Sequence, residues 1–246
     1  MAAGRKIQSE PSKAADLRWG VLTPWTLLLQ NDPKHAASLE RLLTVYRAPV
    51  YAFYRAQRLS ESDAEDLTQH LLMDFFLVRA SHAQAQPAHG RFRNYLLTSA
   101  KHVLLDWKKH GRSVKRGGKV AHVPLDSPNV PDAAETHGVT PDEHFDRHWA
   151  VATWHAAYEV FRTRTSEQLV QAFELYYSGT QKISQETAAQ ELGISLAAFN
   201  SRLHTARRRF YTCIKDIVQT TVEDPAELDR ELADLHALLA RGGFMG

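Results

Sequence analysis

The apolar positions of this chain recur at intervals of three and four residues, the period of an α-helix. No segment alternates in the manner of a half-buried strand, and no internal repeat is present. From Ser38 the run Leu39, Leu42, Leu43, Tyr46, Val50, Phe53 and Tyr54 predicts a first helix, which Pro49 should kink or divide. Ser62 lies three residues before Glu65, the spacing of a capping box, and Asp63, Glu65 and Asp66 put negative charge in a first turn. Leu67, Leu71, Phe75 and Val78 then form one stripe, and Pro87 and Gly90 mark a loop over 80–90. A third helix is expected over 92–110. Leu96, Ala100, Val103 and Trp107 share one face, with Trp107 read as core. Asn94, Lys101, Lys108 and Arg112 share another, and Gly111 is a plausible stop.

After Gly111 the periodicity disappears. Seven glycines and prolines between Gly117 and Pro141 punctuate a stretch that is basic at Lys115, Arg116 and Lys119 and acidic beyond Asp126, which reads as a linker. Helical patterning resumes over 143–219, where Leu169, Phe173 and Tyr176 suggest a buried face. Beyond Pro225, Leu228, Leu232, Leu235 and Leu239 form an amphipathic tail that is acidic at Glu223, Asp224, Glu227, Asp229, Glu231 and Asp234. The expected class is all-α, with two small helical domains joined by a flexible linker. Residues 1–37 form a weakly structured lead-in broken by Pro11, Pro24 and Pro33. The first domain spans 38–112, the linker 113–142, the second domain 143–219 and the tail 220–246. The tail is expected to pack on the second domain; the alternative is a regulatory element that covers a basic DNA face.

Composition narrows the class further. Hydrophobic residues make up 43% of 246 residues, enough for a core. Thirty basic and 28 acidic residues leave a net charge of only +2, so any affinity for nucleic acid must come from local clusters. The single cysteine, Cys213, excludes a disulfide framework and a cysteine-based zinc site. The apolar stretch at Leu27, Leu28 and Leu29 is too short to span a bilayer, and a cytoplasmic protein without a membrane partner is expected. His144, His148 and His155 share helical spacing, but a surface helix explains them without a metal.

The most informative segment is Ile183 to Phe210. A short helix over 185–192 ends at Gly193, where the chain must turn; Ile194 is an apolar plug; Ser195 is a good N-cap for a second helix that runs to at least Arg209. Ala188 is small where two helices cross, and Leu192, Ile194, Phe199 and Leu203 supply an inner face. This is the layout of a helix-turn-helix, whose second helix enters the major groove. Its outer face carries Asn200, Ser201, His204 and Arg208, flanked by Arg202 and Arg207. Arginine matches guanine, asparagine matches adenine, and serine, histidine and arginine also reach phosphate. The plain alternative is a helical hairpin with a solvated basic face.

Ala188, Leu192 to Ser195, Arg202, Leu203, Ala206 and Arg207 resemble the fourth conserved region of bacterial sigma factors. Upstream, Asp63, Glu65, Asp66, Leu67, Gln69, Leu72 and Phe76 resemble the polymerase-binding helix of the second region, and Phe92, Tyr95, Leu96, Ala100, Asp106 and Lys109 resemble the end of that region. The two blocks occur in the family's order and cover about Ser38 to Val218. No counterpart of the housekeeping factors' long first region and middle domain is evident, which places the resemblance with the extracytoplasmic-function group. His70, His102 and Phe199 depart from the usual pattern.

The resemblance implies core RNA polymerase and promoter DNA as partners, and an anti-sigma factor as a possible third. Asp63, Glu65, Asp66 and Gln69 would dock on polymerase. Asn94, Lys101, Lys108, Lys109 and Arg112 would hold the opening −10 element. Asn200, Ser201, Arg202, His204, Arg207 and Arg208 would read the −35 element. Neither enzyme chemistry nor a cofactor is expected: the chain has no phosphate-cradling glycine loop, no His-Glu-x-x-His and no nucleophile motif. A stand-alone helix-turn-helix regulator that binds operator DNA is the alternative, but it leaves the Asp63–Phe76 and Phe92–Lys109 blocks without a purpose. A nuclease or recombinase ranks last, because Asp63, Glu65 and Asp66 lack carboxylate companions elsewhere.

Overall fold

The computed structural model describes residues 36–74, 91–117, 138–177, 183–222 and 224–242, with side chains described outside 36–41 and 111–117. The described residues form eight helices and no strand: α1 (Ala36–Ala56), α2 (Glu61–Met73), α3 (Phe92–Gly117), α4 (Pro141–Arg164), α5 (Glu167–Tyr177), α6 (Gln185–Glu191), α7 (Leu196–Gln219) and α8 (Pro225–Arg241). The chain is all-α. The lead-in as far as residue 35, Phe75 and Val78 of the predicted stripe, the 80–90 loop, and 118–137 of the predicted linker lie outside the described residues.

Local rules explain most helix ends. α2 begins two residues earlier than the Ser62–Glu65 spacing predicts. Ser60 is its N-cap: the Ser60 Oγ accepts from the Asp63 N–H at 3.1 Å and donates to the Asp63 carboxylate at 2.7 Å. Ser62 thus lies inside the first turn, and Ser60 takes the capping role with Asp63 as its partner. α4 starts with a full capping box, Thr140 with Glu143, and has Pro141 in its first turn. Pro49 neither divides nor ends α1, which is one helix of 21 residues. Pro49 is itself buried, as are Tyr46 and Phe53 on the same helix, so the helix continues through a packed segment. α3 continues past Gly111 to Gly117.

The sequence pattern predicts two separately packed blocks, whereas the structure has them share one apolar core. The shared element is α4. α1 packs along it in the most extensive contact among the described helices, and α7 packs on it as well. The first half of α4 faces α3: Asp142 pairs with Lys101 at 2.6 Å, Asp146 with Arg93 at 2.6 Å, and Trp149 lies under the Arg93 guanidinium, 4.4 Å from the ring centroid. The second half faces α5 and α7: Trp154 and Phe161 meet Phe210 edge-on at 5.5 and 5.7 Å, and Phe161 lies 5.0 Å from Phe173. Trp149, Tyr46, Phe53, Tyr54, Phe92, Phe145 and Phe161 are essentially inaccessible. Each such aromatic contributes on the order of 2–3 kcal/mol of apolar burial, so this is the main cohesive surface.

α8 is amphipathic as predicted, with Leu228, Leu235 and Leu239 buried against α4 and α7 and Leu232 half-buried. Its polar side also reaches back to the head of α3. The Phe92 N–H donates to the Thr221 carbonyl at 3.2 Å, and Arg91 and Arg93 pair with Glu227, Glu231 and Asp234. The tail therefore packs on its own half and also joins the two halves. Its carboxylates engage the head of α3, not the face of α7.

Candidate nucleic-acid interface

α6 and α7 have the geometry of a helix-turn-helix. The Ser184 Oγ caps α6 by accepting from the Thr187 N–H at 3.1 Å. α6 ends in a Schellman motif. The Ile194 N–H donates to the Ala189 carbonyl and the Gly193 N–H to the Gln190 carbonyl, both at 3.0 Å, with Gly193 at φ +63°. The Ser195 Oγ then accepts from the Ala198 N–H at 3.2 Å and starts α7. Ala188, Ala189, Phe199 and Leu203 are buried together with Ala172, and Leu192 and Ile194 pack against them, so the unit has its own small core. The predicted inner face is thus in place, and α7 extends well beyond Arg209, to Gln219.

On the outer side of α7, Asn200, Ser201, His204 and Arg208 are exposed and share one face. From Asn200 to Arg208 this stripe is about 12 Å long at 1.5 Å per residue, a match to a major groove about 12 Å wide. Arg202 is half-buried at the edge of the stripe. Arg207 is held differently. Its Nε donates to the Tyr177 hydroxyl at 2.7 Å, and its guanidinium lies 5.1 Å from the Tyr176 ring centroid and 5.5 Å from that of Tyr177. Its charge fastens α7 to α5, although it is exposed on the same face as Asn200 and His204.

A second exposed polar surface lies on α3. Asn94, Thr98, Lys101, Lys108 and Lys109 are exposed; Phe92, Leu96, Ala100 and Leu104 are buried on the opposite side. Lys101 is paired with Asp142 and Lys109 with Asp106 at 3.2 Å. Arg112 lies on the same helix, but its side chain is outside the described residues. Val103 is half-buried, and Trp107, expected in the core, is 40% exposed. The reason is length. The face assignment is right, but Leu104 is the last buried position among the described side chains of α3, and Trp107, one turn later, has less of the body to pack on. Leu105, 54% exposed, sits between Lys101 and Lys108 on the polar face.

On α2, Asp66, Gln69, His70 and Met73 are exposed at i, i+3, i+4 and i+7, and Met73 is 49% exposed. Asp63 and Glu65 have local duties. Asp63 completes the Ser60 cap, and Glu65 forms an ion pair with Arg47 of α1. The structure thus brings Asp66 and Gln69 to one open face and ties Asp63 and Glu65 to the fold.

The sequence pattern does not disclose Arg91, Arg93 and Asp146 as a group with the α8 carboxylates. A local signal exists: two arginines at a helix start with no acid in the first turn oppose the helix dipole and call for countercharge. Burial alone would lower the Arg93 pKa, but the hydrogen bonds and charge of Glu231 outweigh it and hold the group above its ordinary value. No metal-holding group of His, Cys, Asp or Glu occurs among the described residues; His148 Nδ1 instead lies 2.9 Å from the His144 carbonyl oxygen. No described helix is long and apolar enough to cross a membrane. No family model, curated protein or solved structure matches this chain.

Proposed function

We propose that this chain is a promoter-recognition subunit of bacterial RNA polymerase, a sigma factor of the extracytoplasmic-function group that acts in the cytoplasm. The observation that carries this reading is the capped helix-turn-helix with Asn200, Ser201, His204 and Arg208 on its open face. The exposed polar side of α3 supports it, because strand opening requires cations and base-accepting surfaces together. Lys101 and Lys108 supply the cations there, and Trp107, exposed on the adjoining face, can accept a base. In this reading α7 binds the −35 element, α3 the −10 element, and Asp66 and Gln69 on α2 dock core polymerase. The role is one of binding and requires no reaction by the chain, so DNA incubated with it and magnesium should stay intact.

The test is co-purification with bacterial core polymerase, followed by run-off transcription from a promoter library. Promoter-specific starts that depend on the chain are expected. Asn200→Ala should cost about 1–3 kcal/mol at one base pair of the upstream element and leave other positions unchanged. A chain that ignores core polymerase but binds duplex DNA as a dimer would replace this reading with an operator-binding regulator.

A further inference from the structure

Arg91 sits at the N-cap of α3, where its carbonyl accepts from the Asn94 and Tyr95 N–H groups at 3.1 and 3.3 Å. Every described partner of its guanidinium lies on α8: Glu227 at 2.9 Å, Glu231 at 3.1 Å, and Asp234. Arg93 is held by more than one element. Glu231 grips it through both carboxylate oxygens at 2.9 Å, Asp146 of α4 holds it at 2.6 Å, and it stacks on Trp149. Its side chain is 5% exposed, against 19% for Arg91.

The two arginines thus differ in kind. Arg93 is anchored in the core and would keep Asp146 and Trp149 if α8 moved. Arg91 would lose all of its described partners at once. Carboxylate oxygens around a guanidinium present the kind of anionic acceptors that a phosphate offers to arginine. Arg91 also heads the helix whose exposed side carries Asn94, Lys101 and Lys108. We propose that α8 is a displaceable intramolecular anion that masks Arg91, and that Arg91, once released, becomes a phosphate contact at the head of the α3 DNA surface. This rests on α3 being a DNA surface, as the proposed function has it. The Arg91 contacts with Glu227 and Asp234 lie at the part-exposed edge of the network, whereas Glu231 is inaccessible.

The test uses the full chain and a double-mutant cycle. Glu227→Gln with Asp234→Asn removes two of the three carboxylates on Arg91 and spares the buried Glu231. Binding to a single-stranded oligonucleotide is followed against salt, with helical circular dichroism as the check on folding. The unmasked chain is expected to bind about tenfold more tightly, as for one added charge-assisted contact. The slope of log K against log salt should steepen by about 0.7, the value for one phosphate on a single strand. Arg91→Gln should abolish both gains in the unmasked chain and change little in the wild type, which separates a contact from a general rise in charge. Arg91→Lys should retain the steeper slope. Equal affinity and slope in the wild type and the unmasked chain, or a gain that survives Arg91→Gln, would overturn the mask and leave the proposed function standing. Loss of helicity in the doubly neutralised chain would also overturn it, because the carboxylates would then be folding elements. If neither chain binds the oligonucleotide at low salt, α3 is not a DNA surface, and the proposed function loses that support along with the mask.

Discussion

Gly193 and Arg207 belong to the candidate −35 unit, and each has a structural duty of its own. Open space surrounds Gly193 where a Cβ would go, so an alanine there meets no clash and its cost is purely conformational. At φ +63° that cost is about 1–2 kcal/mol. Urea denaturation of Gly193→Ala should show it as a lower midpoint with an unchanged slope. Arg207, read from the sequence as a DNA contact, donates to Tyr177 and lies over two tyrosine rings. Arg207→Ala should therefore lower stability by about 1 kcal/mol and leave the salt dependence of duplex binding nearly unchanged. Arg208, exposed on the open face, should behave in the opposite way. Arg208→Ala should make the log K–log salt slope shallower by about 0.9, with little effect on the denaturation midpoint.

At the scale of elements, α8 shows what a buried charge network demands. Glu231 is fully inaccessible and serves both arginines, so Glu231→Ala leaves two guanidinium groups short of an acceptor and should cost about 3–5 kcal/mol in denaturant unfolding. Glu227 is peripheral, and its hydrogen bond from Arg91 holds its pKa below the ordinary 4.5. A depressed carboxylate stabilises the fold above its unfolded pKa, and that contribution fades as pH falls through the folded value. The stability that Glu227→Gln removes should therefore be visible at neutral pH and vanish in acid below that range. Much of this architecture was legible in the sequence. The α8 stripe, the α2 and α3 stripes and the whole turn from Ala188 to Phe199 follow from short-range rules, and they hold where described. The pairing of Arg91 with Glu227 was not legible, because 136 residues separate the partners and no local rule links them. The exposure of Trp107 was hidden for a related reason, since periodicity gives the face of a helix but not the point where its support ends.

At the scale of the molecule, α4 decides how the chain behaves as a body. Phe145 and Trp149 on its first half and Trp154 and Phe161 on its second belong to one core. Unfolding should therefore be a single transition, with hydrogen-exchange protection lost together in α1 and α7. Trp149→Ala should cost about 3–5 kcal/mol and shift both by the same amount; separate transitions would refute the shared core. This cohesion sets a condition on the proposed function. The described residues pack about one core, and a compact body of about 165 residues has a radius of gyration of about 15 Å, and so a span of about 40 Å. The −35 and −10 elements lie about 85 Å apart along a duplex at 3.4 Å per base pair. The α3 and α7 surfaces cannot both reach their elements while α4 holds the halves together, so docking on polymerase must separate them. Fluorescent labels at Ala48 on α1 and Gln190 on α6, both exposed, report this directly. Energy transfer should be high in the free chain and should fall as core polymerase and promoter DNA are added. If transfer stays high in a complex that transcribes, the −35 element is being read without α7, and the assignment of Asn200 and Arg208 to it fails.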